Sequence, residues 1–458
     1  MNKIHRTVWS ESRQAYVVAH EKTSAQGKPS STRLGVGNAV AAALLGLASS
    51  GAMAAGGTVC NPAEYPMTNS TYTGSGPYTF AVSGGAVTAG FSCNFIGSGD
   101  SLTVAGSGSI STTGSSNYAV YAASTSVASI QNSGLISADD DTVRIMNSTV
   151  AGVISNSGTI QSLGTGGDDI YMGASTIQGG VTNSGTLSAI HHGIHLVGGQ
   201  IVGSIHNTAI GVIRTGDTAI YVANAGALVS GSIINQGVIQ ATGASSGYGV
   251  YMAGGTTISG GLTNSGTIIG ATYAIESVAS TTLPTILNQA GGLIDGRVSI
   301  ASNTTVTNAG TIAMPASTTS TIAGTYTQDS TGTLRTRATS ASAFGKLSVG
   351  GTAMLPAGAK FDVVTGNPAT CGGIAVGTTL AGVISASSLS SSTFTVTDDC
   401  TSIDFTAVKN GNAIDLVVIA AVAPTPASIP TLSEWGLIFL SSLMAMLGIK
   451  QTRRRKGI

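Results

Sequence analysis

The 458 residues include 64 Gly, 42% hydrophobic residues and only 8% charged ones, about a third of the usual ~25% charge content. That apolar content excludes a disordered chain, and Gly mixed with Val and Ile and few helix formers excludes a helical one, leaving an all-β chain with many tight turns. Net charge is zero but uneven: residues 1–54 hold six basic and two acidic side chains, the last nine hold five basic ones, and 55–449 hold eight basic and seventeen acidic, an acidic middle that excludes nucleic acid as a partner because Lys and Arg must face phosphates there.

Residues 1–54 read as an export signal. Lys22, Lys28 and Arg33 form a basic n-region, Leu34 to Leu47 an apolar stretch, and Ala52-Met53-Ala54 the small residues before a cleavage site, so the mature chain is expected to begin at Ala55. The stretch ahead of Leu34 is longer than a plain signal needs. Its block Met1-Asn2-Lys3-Ile4-His5-Arg6-Thr7-Val8-Trp9-Ser10-Glu11-Ser12, followed by Gln14-Ala15-Tyr16-Val17-Val18-Ala19, resembles the extended signal peptide region (ESPR) of type V secretion proteins, the autotransporters and large adhesins of Gram-negative bacteria. The resemblance implies slow passage across the inner membrane through the Sec machinery.

Residues 55–115 are expected to form an N-terminal β cap holding Cys60 and Cys93, and 116–365 a repeat body. In the body the pattern apolar-x-Asn-x-Gly-x-apolar recurs around Asn132, Asn156, Asn183, Asn207, Asn235, Asn264, Asn288 and Asn308, spaced 24, 27, 24, 28, 29, 24 and 20 residues apart. Two copies, Ile205 to Ile213 and Ile286 to Ile294, carry two extra residues in the turn. Short alternating stretches fill each unit: Ile220 and Val222 point inward and Tyr221 outward. Units of this size predict a right-handed parallel β-helix, a solenoid running from about residue 70 to 365, in which each strand pairs with its equivalent ~4.8 Å away. The asparagines are expected to stack into an amide ladder at one corner, and the Gly that follows each to supply a positive φ. Variable spacing around a fixed turn disfavours a propeller or sandwich, because a solenoid lets insertions bulge from one corner.

After Asn308 the segments Gly324-Thr325-Tyr326-Thr327-Gln328, Gly332-Thr333-Leu334 and Phe344 to Ala353 resemble the C-terminal end of autotransporter passenger domains, which implies last coils and a cap. An autotransporter would continue into a membrane β-barrel; here a different tail follows, so transport through a barrel of its own is not expected. Residues 366–422 are expected to form a C-terminal β region with Cys371 and Cys400. Four cysteines allow three connectivities. Of these the local pairs Cys60–Cys93 and Cys371–Cys400 are the simplest for an exported chain, each closing a loop worth ~3–4 kcal/mol.

A Pro-rich linker, 423–428, leads to the tail at 429–458. The tail holds Ile429-Pro430-Thr431-Leu432, then Trp435-Gly436, an apolar run from Leu437 to Ile449 and the basic cluster Arg453-Arg454-Arg455-Lys456. It resembles the IPTL-CTERM protein-sorting domain. That resemblance implies a short transmembrane helix held in the inner membrane, a membrane-embedded sorting or processing enzyme, and transfer to the envelope surface.

Chemistry is sparse. Gly99-Asp100-Ser101-Leu102 matches the block of a lipase family, but no downstream Asp-x-x-His pair exists to activate the Ser, so no catalytic residue is expected. His191-His192-Gly193-Ile194-His195 lacks a carboxylate or Cys nearby in sequence to complete four ligands; no metal and no cofactor are expected. Asp139-Asp140-Asp141 and Asp168-Asp169 fall in adjacent coils, where stacked carboxylates are expected to face solvent or to hold Ca²⁺. Two outward columns are predicted: Tyr121, Arg144, Tyr171, His195, Tyr221, Tyr251 and Glu276, and beside them Tyr118, Asp141, Asp168, His192, Thr218, Tyr248 and Tyr273. Tyr121, Tyr171, His195, Tyr221 and Tyr251 make the candidate binding face, since aromatic faces take sugar rings and apolar patches of partners. The expectation is a non-enzymatic, adhesin-like surface protein with a glycan or protein ligand; the alternative is an envelope β-helix that binds or cleaves polysaccharide.

Overall fold

The computed structural model describes residues 5–10, 15–20, 79–82, 85–88, 99–114, 118–390, 393–421 and 432–454. The apolar signal stretch, the cleavage residues Ala52, Ala54 and Ala55, the cysteines Cys60 and Cys93, the Pro-rich linker and Ile429, Pro430 and Thr431 lie outside the described residues. The chain divides into two units, 1–55 and 56–458. In the first, His5–Ser10 and Ala15–His20 pair antiparallel, with His5 opposite His20 and Ser10 opposite Ala15.

The second unit is the expected parallel solenoid. Each coil between Val143 and Gly270 contributes four short strands, as in Ile170–Gly173, Thr176–Ile177, Val181–Asn183 and Thr186–Ala189. The first three join a sheet of 29 strands and the fourth a sheet of 13. Like stacks on like: Val143, Ile170, Ile194, Ile220, Val250, Ile275 and Val298 share one register position. All seven are buried, and burying each such side chain stabilises by ~1.5–3 kcal/mol. Parallel pairing begins at Thr79–Val82 and Gly85–Thr88 and continues past residue 365, through Thr379–Ser390 and Phe394–Asp398. The two-residue insertion at Thr208 to Gly211 leaves the register on both sides intact and exposes Ile210 at the corner.

The asparagine ladder is continuous. Asn132, Asn156, Asn183, Asn207, Asn235, Asn264, Asn288 and Asn308 occupy one register position. Each Nδ2 donates to the Oδ1 of the next at 2.8–2.9 Å. The chain of amides then goes one coil further than the Asn pattern. Asn308 donates to the Tyr326 hydroxyl at 3.4 Å, Tyr326 donates to Gln328 Oε1 at 3.1 Å, and Gln328 sits opposite Asn308. The glycines after the asparagines correct the φ expectation. Gly134, Gly158, Gly185, Gly237 and Gly266 do not have a positive φ, whereas Gly291, in the longer turn after Asn288, does (φ 83°). What they need is room: a Cβ on Gly185 would overlap the carbonyl oxygen of Gly158 and come within 2.6 Å of the Ser157 carbonyl carbon.

At the C-terminal end the direction reverses. Ala413–Ala420 pairs antiparallel with both Thr379–Ser390 and Ile403–Asn410. Cys371 and Cys400 meet here as free thiols. Burial would raise Cys371, but hydrogen bonds from Cys400 and Ser402 hold it below the usual thiol range; burial, with Cys371 alongside, pushes Cys400 up to about 12.

The tail forms a helix, Leu432–Arg454, whose large apolar side chains from Trp435 to Ile449 are exposed. The expectation of a transmembrane span is corrected in one respect: no helix among the described residues is long and apolar enough to cross a membrane. Its apolar run is only ~20 Å long at 1.5 Å per residue, and Glu434 and Lys450 interrupt it at either end.

Candidate functional site

The first strand of each coil places one residue outward between two buried neighbours, and register stacks those residues into a column. Tyr121, Arg144, Tyr171, His195, Tyr221, Tyr251 and Glu276 stand opposite one another in that order. The rings touch. Tyr171 meets His195 edge-on at 5.2 Å, His195 stacks on Tyr221 at 4.6 Å, and Tyr221 lies 5.0 Å from Tyr251. Arg144 lies over Tyr118 and Tyr171, at 4.8 and 4.4 Å, and Tyr248 stacks on Tyr273 at 5.5 Å. Arg297 closes the far end, 4.7 Å over Tyr273 and donating to its hydroxyl at 2.7 Å. All five residues of the candidate binding face, Tyr121, Tyr171, His195, Tyr221 and Tyr251, are half-buried in this one stripe.

The second column departs from expectation. Asp141, Asp168, His192 and Thr218 are buried, and so is Asp169. The stacked carboxylates are held here by different partners rather than by facing solvent. Asp141 is paired with Arg144 and accepts the Asp168 N–H at 2.9 Å. Burial, reinforced by the Asp168 charge, pushes the Asp141 carboxyl up to about 6. Asp169 accepts the Ser162 N–H at 2.9 Å, and its other oxygen, Oδ2, has no hydrogen-bond partner. Complete burial raises its carboxyl well above the usual range.

Asp168 is the centre of the site. Nδ1 of His191, His192 and His195 donate to its carboxylate at 2.8, 2.9 and 2.7 Å. Burial alone would raise Asp168; the three imidazole hydrogen bonds outweigh it and hold the carboxyl far below the usual range. Its hydrogen bond raises His191, whereas burial lowers His192. Ligand-capable atoms of Asp168, His192 and His195 lie within 4.8 Å of one another. Reading the His run alone missed this carboxylate because it lies one coil back in the chain. The signal was present in the spacing: Asp168 to His192 is 24 residues, the same as Asn183 to Asn207 in that coil.

The site therefore sits on an all-β parallel solenoid, as an aromatic stripe with a buried carboxylate–imidazole cluster at its middle. Residues 1–50 match the family model for the extended signal peptide of the type V secretion system, and 427–455 match the IPTL-CTERM motif. No curated protein and no solved structure matches the chain. With a type V export signal at one end and a sorting motif at the other, the chain is an exported protein of the cell envelope or surface.

Proposed function

We propose that the chain is an adhesin-like display rod without catalytic activity, whose aromatic stripe binds a surface glycan or a protein partner. The observation that carries this reading is the unbroken ring-to-ring register from Tyr171 to Tyr251. Stacked Tyr presents large area at little entropic cost. Replacing Tyr221 and Tyr251 together with Ala is expected to weaken glycan or host-surface binding at least about tenfold, at roughly 1 kcal/mol per ring. Binding curves for the folded variant check this; wild-type affinity would reject the face.

The alternative of polysaccharide binding or cleavage gains one observation, the gathering of Asp141, Arg144, Asp168 and three histidines on this stripe. Both carboxylates are nonetheless buried, which keeps a polymer from reaching them. Release of reducing ends from soluble polysaccharides would favour cleavage over display.

In this reading the Sec machinery exports the chain and a membrane-embedded enzyme acts at Ile429-Pro430-Thr431-Leu432, with the marginal helix and its basic cluster holding the chain transiently at the inner membrane. Trp435 sits at the interface, where its ring fixes depth. In the oxidising envelope Cys371 and Cys400 close into a disulfide. Intact-mass spectrometry of the surface protein, with and without alkylation, is expected to show a start at Ala55, loss of the Arg453–Lys456 tail and no alkylation of Cys371 or Cys400. A retained tail would make the helix a plain anchor, and alkylated thiols would exclude the bridge.

A further inference from the structure

We propose that Asp168, His192 and His195 form a binding site for a first-row divalent cation of the zinc type. Two imidazoles and a carboxylate supply the three protein ligands that such an ion takes in sites whose fourth position is left to water. The imidazoles also discriminate against Ca²⁺ and Mg²⁺, which take oxygen ligands.

The geometry requires little movement. The Nδ1 atoms of His192 and His195 already stand 2.9 and 2.7 Å from the Asp168 oxygens, and the three ligand atoms lie within 4.8 Å of one another. Around an ion with bonds of 2.0–2.2 Å, adjacent ligand atoms are about 3.3 Å apart. Each imidazole would then ligate through Nδ1 with its one proton on Nε2: a neutral ring moves its proton there, and only a protonated ring releases one to solvent. Both coils that supply ligands are fixed by the ladders on either side, and the Asp168 backbone N–H is tied to Asp141 at 2.9 Å, the supporting contact that ligating groups need. His195 is held between Tyr171 and Tyr221. Its Nε2 is buried without a hydrogen-bond partner. His191 is the most exposed of the three histidines around Asp168, its side chain one-third accessible, and provides the route of entry. An ion here would join adjacent coils in the middle of the aromatic stripe. It would also order the ring His195 shares with that stripe. The inference does not depend on what the stripe binds.

The test is titration of the purified, chelator-treated full chain with Zn²⁺, with Ca²⁺ in parallel, followed by calorimetry and thermal unfolding. One Zn²⁺ per chain, a raised unfolding midpoint and indifference to Ca²⁺ are expected. H192A and H195A should each weaken binding at least about tenfold. H206A should not, because His206 bonds Gln236 elsewhere on the coil. Since loss of a buried ligand can impair folding, X-ray absorption at the zinc edge of the wild-type protein gives a second readout, expected to show imidazole and carboxylate ligation without sulfur. No saturable uptake, unchanged affinity in folded H192A and H195A, displacement by Ca²⁺, or sulfur ligation from the cysteines would each overturn the assignment.

Discussion

Replacing Asn235 with Ala is expected to destabilise the solenoid by about 3–4 kcal/mol. Asn235 is fully buried and sits mid-ladder. It accepts from Asn207 and donates to Asn264, both at 2.8 Å, and also reaches the carbonyls of Gly237 and Thr267 at 3.2 and 3.0 Å. Ala removes all four contacts, and water cannot enter to replace them. Each unsatisfied buried group costs about 1–3 kcal/mol, and aligned amides polarise one another. The same change at Asn132 should cost less, about 1–2 kcal/mol. That residue begins the ladder, where its Oδ1 takes the nearby Gly134 N–H at 3.1 Å instead of an amide from an earlier coil. Denaturant midpoints for the two variants check the ordering, and equal losses would mean that the ladder is not cooperative.

Gly185 to Ala is the harsher substitution, expected to cost about 4 kcal/mol or more or to prevent folding. The new methyl would overlap the Gly158 carbonyl oxygen, which also accepts the Thr186 N–H at 2.8 Å. Relief requires the two coils to separate, and that breaks the ladder bond holding them. Gly166 to Ala provides the control. Nothing lies within 4 Å of its would-be Cβ and its φ is ordinary, so its unfolding midpoint should stay within about 0.5 kcal/mol of wild type. If both variants behaved alike, backbone proximity would not be the reason for glycine at these corners.

The solenoid was legible in the sequence because one side chain repeats with its turn. An Asn flanked by apolar residues fixes both the corner and which neighbours point inward. The ladder's last step was hidden, since Gln328 does the amide's work with one more methylene and the Tyr326 hydroxyl bridges the gap. Glycine's role was misread for a physical reason: local sequence suggests a turn dihedral, whereas the constraint is the backbone of the coil beneath, some 27 residues away at Gly185. The aromatic column was legible because alternation and coil length fix it. The Asp168 cluster was only partly so. Asp168, His192 and His195 fall in neighbouring columns by coil length, but a repeat pattern does not show that the second column turns inward, where buried acids must find counter-charges.

The reversed pairing at the C-terminal end has a consequence for how copies of the protein coexist. A parallel stack of near-identical coils offers, at its open edge, unpaired backbone groups that would template the first coil of another copy, the geometry from which fibrils grow. Ala413–Ala420 lies against that edge of the larger sheet running in the opposite direction, and Ile403–Asn410 pairs antiparallel with it in turn. The coil-on-coil stacking is therefore not continued on that sheet, and an edge strand covered in this way is one of the devices by which sheets are kept from templating another chain.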